Sequence, residues 1–174
     1  MKKLLFKTLT VALFIMGFAL PSHAETNDIK DSTSKKVEYD YTQSGTTYQL
    51  ARIALRDKIF DLEGQINRKI IVFTAREDLN GDRVPEIFVK LDDKKFFCSE
   101  DEGCDTYILA VSEDGPVKIG EMKADDIYIE QDRHNNASIL TASRKSKKTT
   151  TTYIFEDGMF VEKNAEETKK ETTL

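Results

Sequence analysis

The chain has 174 residues, of which 33% are charged and 39% are hydrophobic, and its formal net charge is −5 at pH 7. This composition excludes a multi-span membrane protein and a compositionally disordered chain, and the length suits a single domain.

The first 24 residues have the pattern of a secretory signal peptide. A basic start with Lys2, Lys3 and Lys7 precedes an apolar run at 9–20, and a small-residue pattern ends at Ala24. These features match the n-region, h-region and cleavage site of an exported protein, and the apolar run is too short to span a bilayer comfortably. We therefore expect a signal peptide at 1–24, no transmembrane segment after its removal, and a periplasmic or secreted location.

The expected mature chain is acidic. Without Lys2, Lys3 and Lys7, the 26 basic residues fall to 23 against 31 acidic ones, which gives a net charge of −8. This balance argues against nucleic-acid binding, which usually depends on a strongly basic face. The expected partner is therefore another envelope or secreted protein.

The N-terminal part of the mature chain predicts a polar leader followed by one helix. Residues 25–45 predict a flexible leader, although the alternating run 37–41 is also compatible with an edge strand. The pattern Thr46-x-x-Gln49 predicts a capping box at the helix start, and Gly64 predicts its end. One apolar stripe recurs every three or four positions at Tyr48, Ala51, Leu55, Ile59 and Leu62.

The rest of the chain predicts β-strands. Alternating or β-branched runs occur at 69–75, 85–91, 106–111, 127–129, 137–142, 148–155 and 159–161. Asp114-Gly115 and Asp157-Gly158 predict tight hairpins. Because no second long helix offers parallel crossovers, we predict an α+β fold: one N-terminal helix packed on a mainly antiparallel meander of seven or eight short strands. The predicted domain spans 46–163, and the polar residues 164–174 predict a disordered tail.

The two cysteines, Cys98 and Cys104, predict a disulfide. An even, closely spaced pair in an exported chain typically oxidises, and a ring of about seven residues contributes ~2–2.5 kcal/mol. A zinc site needs two further ligands, and His134 alone cannot complete a usual set. We expect the disulfide to pin a local loop.

Residues 78–86 carry the one motif with chemical meaning. Oxygen ligands stand at positions one, three, five, seven and nine, the seventh being a backbone carbonyl: Asp78, Asn80, Asp82, Val84 and Glu86. Such spacing directs oxygens at one hard cation, and Ca²⁺ accepts six to eight. The favoured alternative is a metal-free turn, because Arg83 stands where a calcium loop needs Gly and because Val89 replaces the bidentate Glu. In that turn, Arg83 is a candidate internal counter-ion.

This stretch resembles the calcium loop shared by EF-hand-like sites and FG-GAP/VCBS-type β-proteins. More loosely, residues 78–104 are similar to small exported bacterial proteins in which an Asp-Leu-Asn-Gly-Asp-Gly-x-Pro-Glu loop precedes a close Cys…Gly-Cys pair. The resemblance implies a β-rich architecture and no defined activity.

Two charged runs are candidates for partner binding. An acidic tip lies inside the predicted Cys98–Cys104 ring and consists of Glu100, Asp101 and Glu102. A basic run lies between two predicted strands and consists of Arg144, Lys145, Lys147 and Lys148. The simpler interpretation of each is a solvated loop.

These features predict an exported, non-enzymatic binding protein that presents loops on a rigid sheet, with calcium as the one candidate cofactor. The alternative is a periplasmic inhibitor or immunity protein that blocks a cell-wall-degrading enzyme. A small carboxylate-dependent hydrolase is the third class. It is disfavoured because His134 lacks a nucleophile motif and the chain has no Trp for stacking sugars.

Overall fold

The structure, a computed structural model, describes residues 34–163, and the predicted signal peptide and tail lie outside them. Two helices and ten strands are present in this part of the chain. The helices are α1 (Gly45–Ala54) and α2 (Arg56–Ile66). The strands are β1 (Lys35–Lys36), β2 (Val72–Glu77), β3 (Glu86–Leu91), β4 (Cys98–Ser99), β5 (Gly103–Ser112), β6 (Gly115–Ala124), β7 (Asp126–His134), β8 (Ala137–Arg144), β9 (Thr149–Glu156) and β10 (Met159–Glu162).

The predicted single helix is two helices that meet at Leu55. The backbone of Leu55 leaves helical geometry (φ −106°, ψ 23°), but the predicted stripe stays on one face, with Ala51, Leu55 and Ile59 buried. The second helix continues through Gly64, where the end was predicted, to Ile66, and its C-cap Asn67 is left-handed (φ 51°). The predicted capping box is also wrong, because the N-cap is Ser44 and it makes no side-chain capping bond.

All ten strands belong to one sheet, in the order β1-β7-β8-β9-β10-β6-β5-β3-β2, with β4 paired to β5. The neighbours on this path are antiparallel except β10 and β6, which run parallel and pair at Phe160 and Gly120. The α+β prediction is confirmed in outline. The count of seven or eight strands is wrong. The two-residue strands β1 and β4 give no readable alternation, and β6 was not among the predicted runs because lysines, a glutamate and glycines interrupt its apolar residues.

A segment assigned to the flexible leader closes this sheet. Lys35 pairs with Ile129 on β7, whereas Asp40 and Thr74 on β2 exchange backbone hydrogen bonds of 2.7 and 2.9 Å. Val37 between them is 2% exposed. The leader prediction is therefore corrected for residues 35–40, which join the two ends of the strand order, because alternation places Val37 and Tyr39 against the core. The sheet therefore includes residues upstream of 46, where the domain was predicted to begin.

The central strands separate two apolar clusters, since successive side chains of a strand point to opposite faces. On β3, Ile87, Val89 and Leu91 pack in the cluster that also contains buried residues of α1 and α2, as the alternation predicted for this strand. Phe88 points into the other cluster, with Val37 and residues from most of the remaining strands. The sheet is therefore buried on both faces at β3 and β5.

One ion pair ties the two helices to each other and to the sheet. Arg52 on α1 donates to both oxygens of Glu63 on α2, at 2.9 and 2.7 Å, and the two side chains are 11% and 7% exposed. Glu63 also accepts the backbone N–H of Ile70 at 2.8 Å. The Arg52 guanidinium, followed by the Ile70 amide and Lys69, lowers the pKa of Glu63 from 4.5 to about 2 against the opposing effect of burial.

We expect Glu63→Gln to lower the free energy of unfolding by about 3 kcal/mol at pH 7, because it leaves the Arg52 charge buried without its partner. Since the pKa of Glu63 is lower in the folded state, its contribution is fully present above pH 4.5. It is lost as the pH falls toward 2. Urea unfolding from pH 7 to 2 measures this difference, which should vanish at the acid end. The control is the exposed Glu121→Gln, and an equal cost there would contradict the prediction.

Candidate functional site

The disulfide prediction is confirmed, and the bond organises one end of the sheet. The Cys98 and Cys104 sulfurs lie 2.07 Å apart, and the two residues face each other across β4 and β5. Gly103 is left-handed (φ 81°), and a Cβ there would lie 2.3 Å from the Ala124 backbone. Only glycine therefore allows this hairpin to lie against the end of β6. We call this region, made of residues 92–104, 124–126 and 144–148, the disulfide end.

The acidic tip predicted for partner binding lies at the exposed turn of this hairpin. Glu102 forms an ion pair with Lys123 at 3.0 Å. Lys123 holds the pKa of Glu102 below its ordinary value, with smaller effects from Lys147 and Arg144. Glu100 and Asp101 are exposed and make no ion pair within residues 34–163.

The basic run folds back toward the same end. The backbone N–H of Lys145 donates to the Asp125 carboxylate at 2.6 Å, and the Lys145 ammonium lies 3.0 Å from Asp126. Lys147 and Lys148 are exposed, whereas Arg144 is half-buried as the last residue of β8. The exposed part of the predicted basic set is therefore Lys145, Lys147 and Lys148.

The structure brings the two charged sets together. A surface depression of about 360 Å³ is lined by Glu100, Asp101 and Glu102 on one side and by Lys147 on the other, with Ser99 completing it. This proximity could not be predicted, because the two runs are more than 40 residues apart and no pairing rule connects a hairpin tip to a distant loop.

Four of the five predicted metal-ligating residues lie in the loop between β2 and β3, and Glu86 is the first residue of β3; their polar side chains accept backbone N–H groups. Both oxygens of Asp78 accept backbone N–H groups, from Gly81 at 2.7 Å and Arg83 at 3.0 Å. Oδ1 of Asp82 accepts the N–H of Val84 at 2.6 Å. Arg83 is left-handed (φ 71°), as the position requires. These are the contacts of the turn interpretation.

The donor set fits calcium only in part. The Asn80 oxygen accepts the N–H of Asp82, so the amide nitrogen is the atom directed at Asp82 and Glu86, at 2.9 and 3.4 Å. Glu86 is buried and accepts the N–H of Leu79 at 2.8 Å. Burial raises the pKa of Glu86, and the nearby Asp82 and Asp78 charges add to that rise. A cation would need the Asn80 amide to turn, and it would relieve the repulsion among these three acids.

Sequence reasoning missed the cation that contacts this loop, which is Arg133. Its guanidinium donates to the carbonyls of Asn80 at 3.0 Å and Asn136 at 3.1 Å, and so joins the loop to the β7–β8 hairpin. Arg83, the predicted counter-ion, makes no ion pair in the described part of the chain. No local spacing links Arg133 to a loop 50 residues earlier.

Two other clusters of chemically active side chains carry no catalytic arrangement. Asp92 lies close to Cys98 and Cys104, but both sulfurs are used by the disulfide and only one carboxylate remains as a ligand. The imidazole of His134 lies 3.5 Å from Glu156 on the surface.

Comparisons with known proteins add no family to this geometry: no protein-family model, curated protein or solved structure matches the chain. Neither helix in residues 34–163 has the length and apolar character needed to cross a membrane.

We expect Arg133→Met to lower the free energy of unfolding by about 1 kcal/mol, because two carbonyls lose a charged donor. The matched variant Arg83→Met should change the free energy of unfolding by less than about 0.5 kcal/mol, since it keeps a non-glycine residue at the left-handed position and removes no ion pair in the described part of the chain. Urea unfolding of the two variants at pH 7 compares these costs. A larger cost for Arg83→Met would identify Arg83 as the counter-ion of the loop.

Proposed function

We propose that this chain is an exported, non-enzymatic binding protein that presents the disulfide end of its sheet to another envelope or secreted protein. The observation that carries the proposal is the shared depression between the acidic tip, Glu100–Glu102, and Lys147 of the basic run. The signal-peptide pattern at 1–24 supports export.

The physical reason is that paired patches of opposite sign orient a partner. Exposed charges add little affinity, but they raise the rate of encounter and exclude partners with the wrong charge pattern. A rigid support is also present, because the disulfide, Gly103 against Ala124 and the Lys145–Asp125 bond fix both loops to the sheet. Little conformational entropy is then lost when a partner binds.

The rigidity of the hairpin also supports the alternative of an inhibitor or immunity protein. A hairpin that is closed by a disulfide and carries three acids is already ordered. It can therefore enter the cleft of a cell-wall-degrading enzyme without a further loss of conformational entropy. The inhibitor would use the same surface as the general binding protein. The two functions are distinguished by whether the chain inhibits the lysis of purified cell wall.

The experiment is a comparison of capture from an envelope extract by the mature protein and two variants. Glu100→Gln with Asp101→Asn removes two charges from the acidic tip, and we expect it to reduce capture of a specific protein at least about tenfold. The matched control removes two charges from the opposite end of β5, by Glu113→Gln with Asp114→Asn, and should retain capture. The captured fraction is then assayed for cell-wall lysis with and without the protein.

Equal capture by both variants would place any binding surface elsewhere. If the protein captured through the acidic tip lyses cell wall and the chain inhibits that lysis, the inhibitor function is selected. If the captured protein has no lytic activity, the general binding function is selected.

For the loop at 78–86, we propose a structural role that needs no calcium. Thermal melts of the mature protein in millimolar calcium and in chelator should give the same midpoint. A bound ion at about a hundred times its dissociation constant would add ~2.7 kcal/mol, or roughly 5–11 °C. The variant Arg83→Gly restores the glycine of the calcium pattern and tests whether Arg83 alone prevents binding. A calcium-dependent rise in the wild-type midpoint would make the loop a metal site.

A further inference from the structure

A group of metal-binding side chains lies at the disulfide end, and the disulfide itself keeps this group out of use. Ligand atoms of Asp92, Cys98 and Cys104 all lie within 4.8 Å of one another. Oδ1 of Asp92 is 3.7 Å from the Cys98 sulfur, and the two cysteines are direct partners across β4 and β5. While the disulfide is closed, both sulfurs are bonded to each other. Reduction of this bond would therefore release two thiol ligands beside a carboxylate.

The spacing of these ligands is close to that of a tetrahedral zinc site. Zinc binds a thiolate sulfur at about 2.3 Å and a carboxylate oxygen at about 2.1 Å, which places two such ligands about 3.6 Å apart. The 3.7 Å between Asp92 and Cys98 already fits this value. Rotation about the Cα–Cβ bonds would separate the sulfurs once their bond is broken. Both would stay on one face of the hairpin, because directly opposed residues of two strands share a face.

Access and charge also suit a zinc ion. All three ligands line a cavity of about 280 Å³, and a water molecule in it would complete the four ligands of a site with three protein groups. Two thiolates and one carboxylate carry three negative charges, of which zinc neutralises two. The Lys90 ammonium supplies the remaining positive charge, since it lies in the field of Asp92 and donates to the Asp125 carbonyl at 2.8 Å.

We propose that reduction of the Cys98–Cys104 disulfide creates a zinc site in which both thiolates and Asp92 are the protein ligands. A dithiol reductant supplies two electrons and two protons: the protein S–S bond breaks, two cysteine thiols form, and the reductant closes its own disulfide. Zinc then binds the sulfurs as thiolates and displaces their protons to solvent. An oxidising disulfide reverses these steps and expels the ion, because the sulfurs cannot bind zinc and each other at once. The inference goes beyond the proposed function and does not depend on it.

The test uses cobalt(II) as the probe, because its absorption reports both tetrahedral geometry and thiolate ligands. The mature protein is reduced with a water-soluble phosphine, which is oxidised to its phosphine oxide, and the excess is removed without air. Cobalt should then give visible ligand-field bands and near-ultraviolet sulfur-to-metal charge-transfer bands at one ion per chain, and zinc should abolish them. The oxidised protein should show neither set of bands. Absence of the charge-transfer bands after reduction, or one ion per two chains, would overturn the proposal.

Matched variants test Asp92 as the third ligand. Asp92→Asn should weaken zinc binding by the reduced protein at least about tenfold, since loss of an outer-sphere partner alone commonly costs that much. Asp101→Asn makes the same charge change at the exposed turn of the same hairpin and should leave the affinity within about twofold. Competition with a zinc-sensitive dye compares the dissociation constants. An unchanged constant for Asp92→Asn, or equal weakening by both variants, would overturn the site.

Folding of the reduced chain is measured separately. The circular dichroism spectrum of the reduced protein should match that of the oxidised protein. The double variant Cys98→Ser with Cys104→Ser has neither disulfide nor thiols, and it should keep the same spectrum and give no charge-transfer bands. Cobalt binding only by an unfolded reduced chain would overturn the proposal, because the site depends on the pairing of β4 with β5.

Discussion

The closure of the sheet by residues 35–40 is the constraint on which the rest of this structure depends. One short segment pairs with β7 at Lys35 and with β2 at Asp40, which are the two ends of the strand order. Gln43 also covers this edge of the sheet, because its side-chain amide accepts the N–H of Val72 and donates to the carbonyl of Val72 on β2. Edge strands need such cover, because unpaired backbone groups attract other chains.

The closed sheet has two ends. One is covered by the 78–86 loop, and the other is covered by the disulfide hairpin. At one end, Leu79 of the 78–86 loop is 1% exposed, and its carbonyl accepts the N–H of Ser138. The carboxylates of Asp78 and Asp82 therefore hold the 78–86 loop in the conformation in which Leu79 covers the core. At the other end, Lys90 is half-buried and donates to the carbonyl of Asp125, and burial lowers the pKa of its ammonium group. The disulfide hairpin completes that end.

Much of the sheet was predictable, because alternation in strands such as β3 reflects burial on two faces and needs no tertiary information. The turn at 78–86 was predictable for a similar reason: Asp78 and Asp82 bond amides that lie within five residues of them. The alternation at 37–41 left an edge strand open for the closing segment, but its two partners were not predictable, because β7 and β2 lie far along the chain. The contact of Arg133 with Asn80 and the meeting of Lys147 with the acidic tip depend on chain positions about 50 residues apart.

The energies involved limit what the charged loops at the disulfide end can contribute to binding. An exposed ion pair contributes about 0–1 kcal/mol, whereas association costs about 4–15 kcal/mol of translational and rotational freedom. The acidic tip and Lys147 cannot offset that cost by themselves, so their contribution is orientation and selectivity. Affinity requires in addition a contact that excludes water, which exposed charged loops do not supply by themselves.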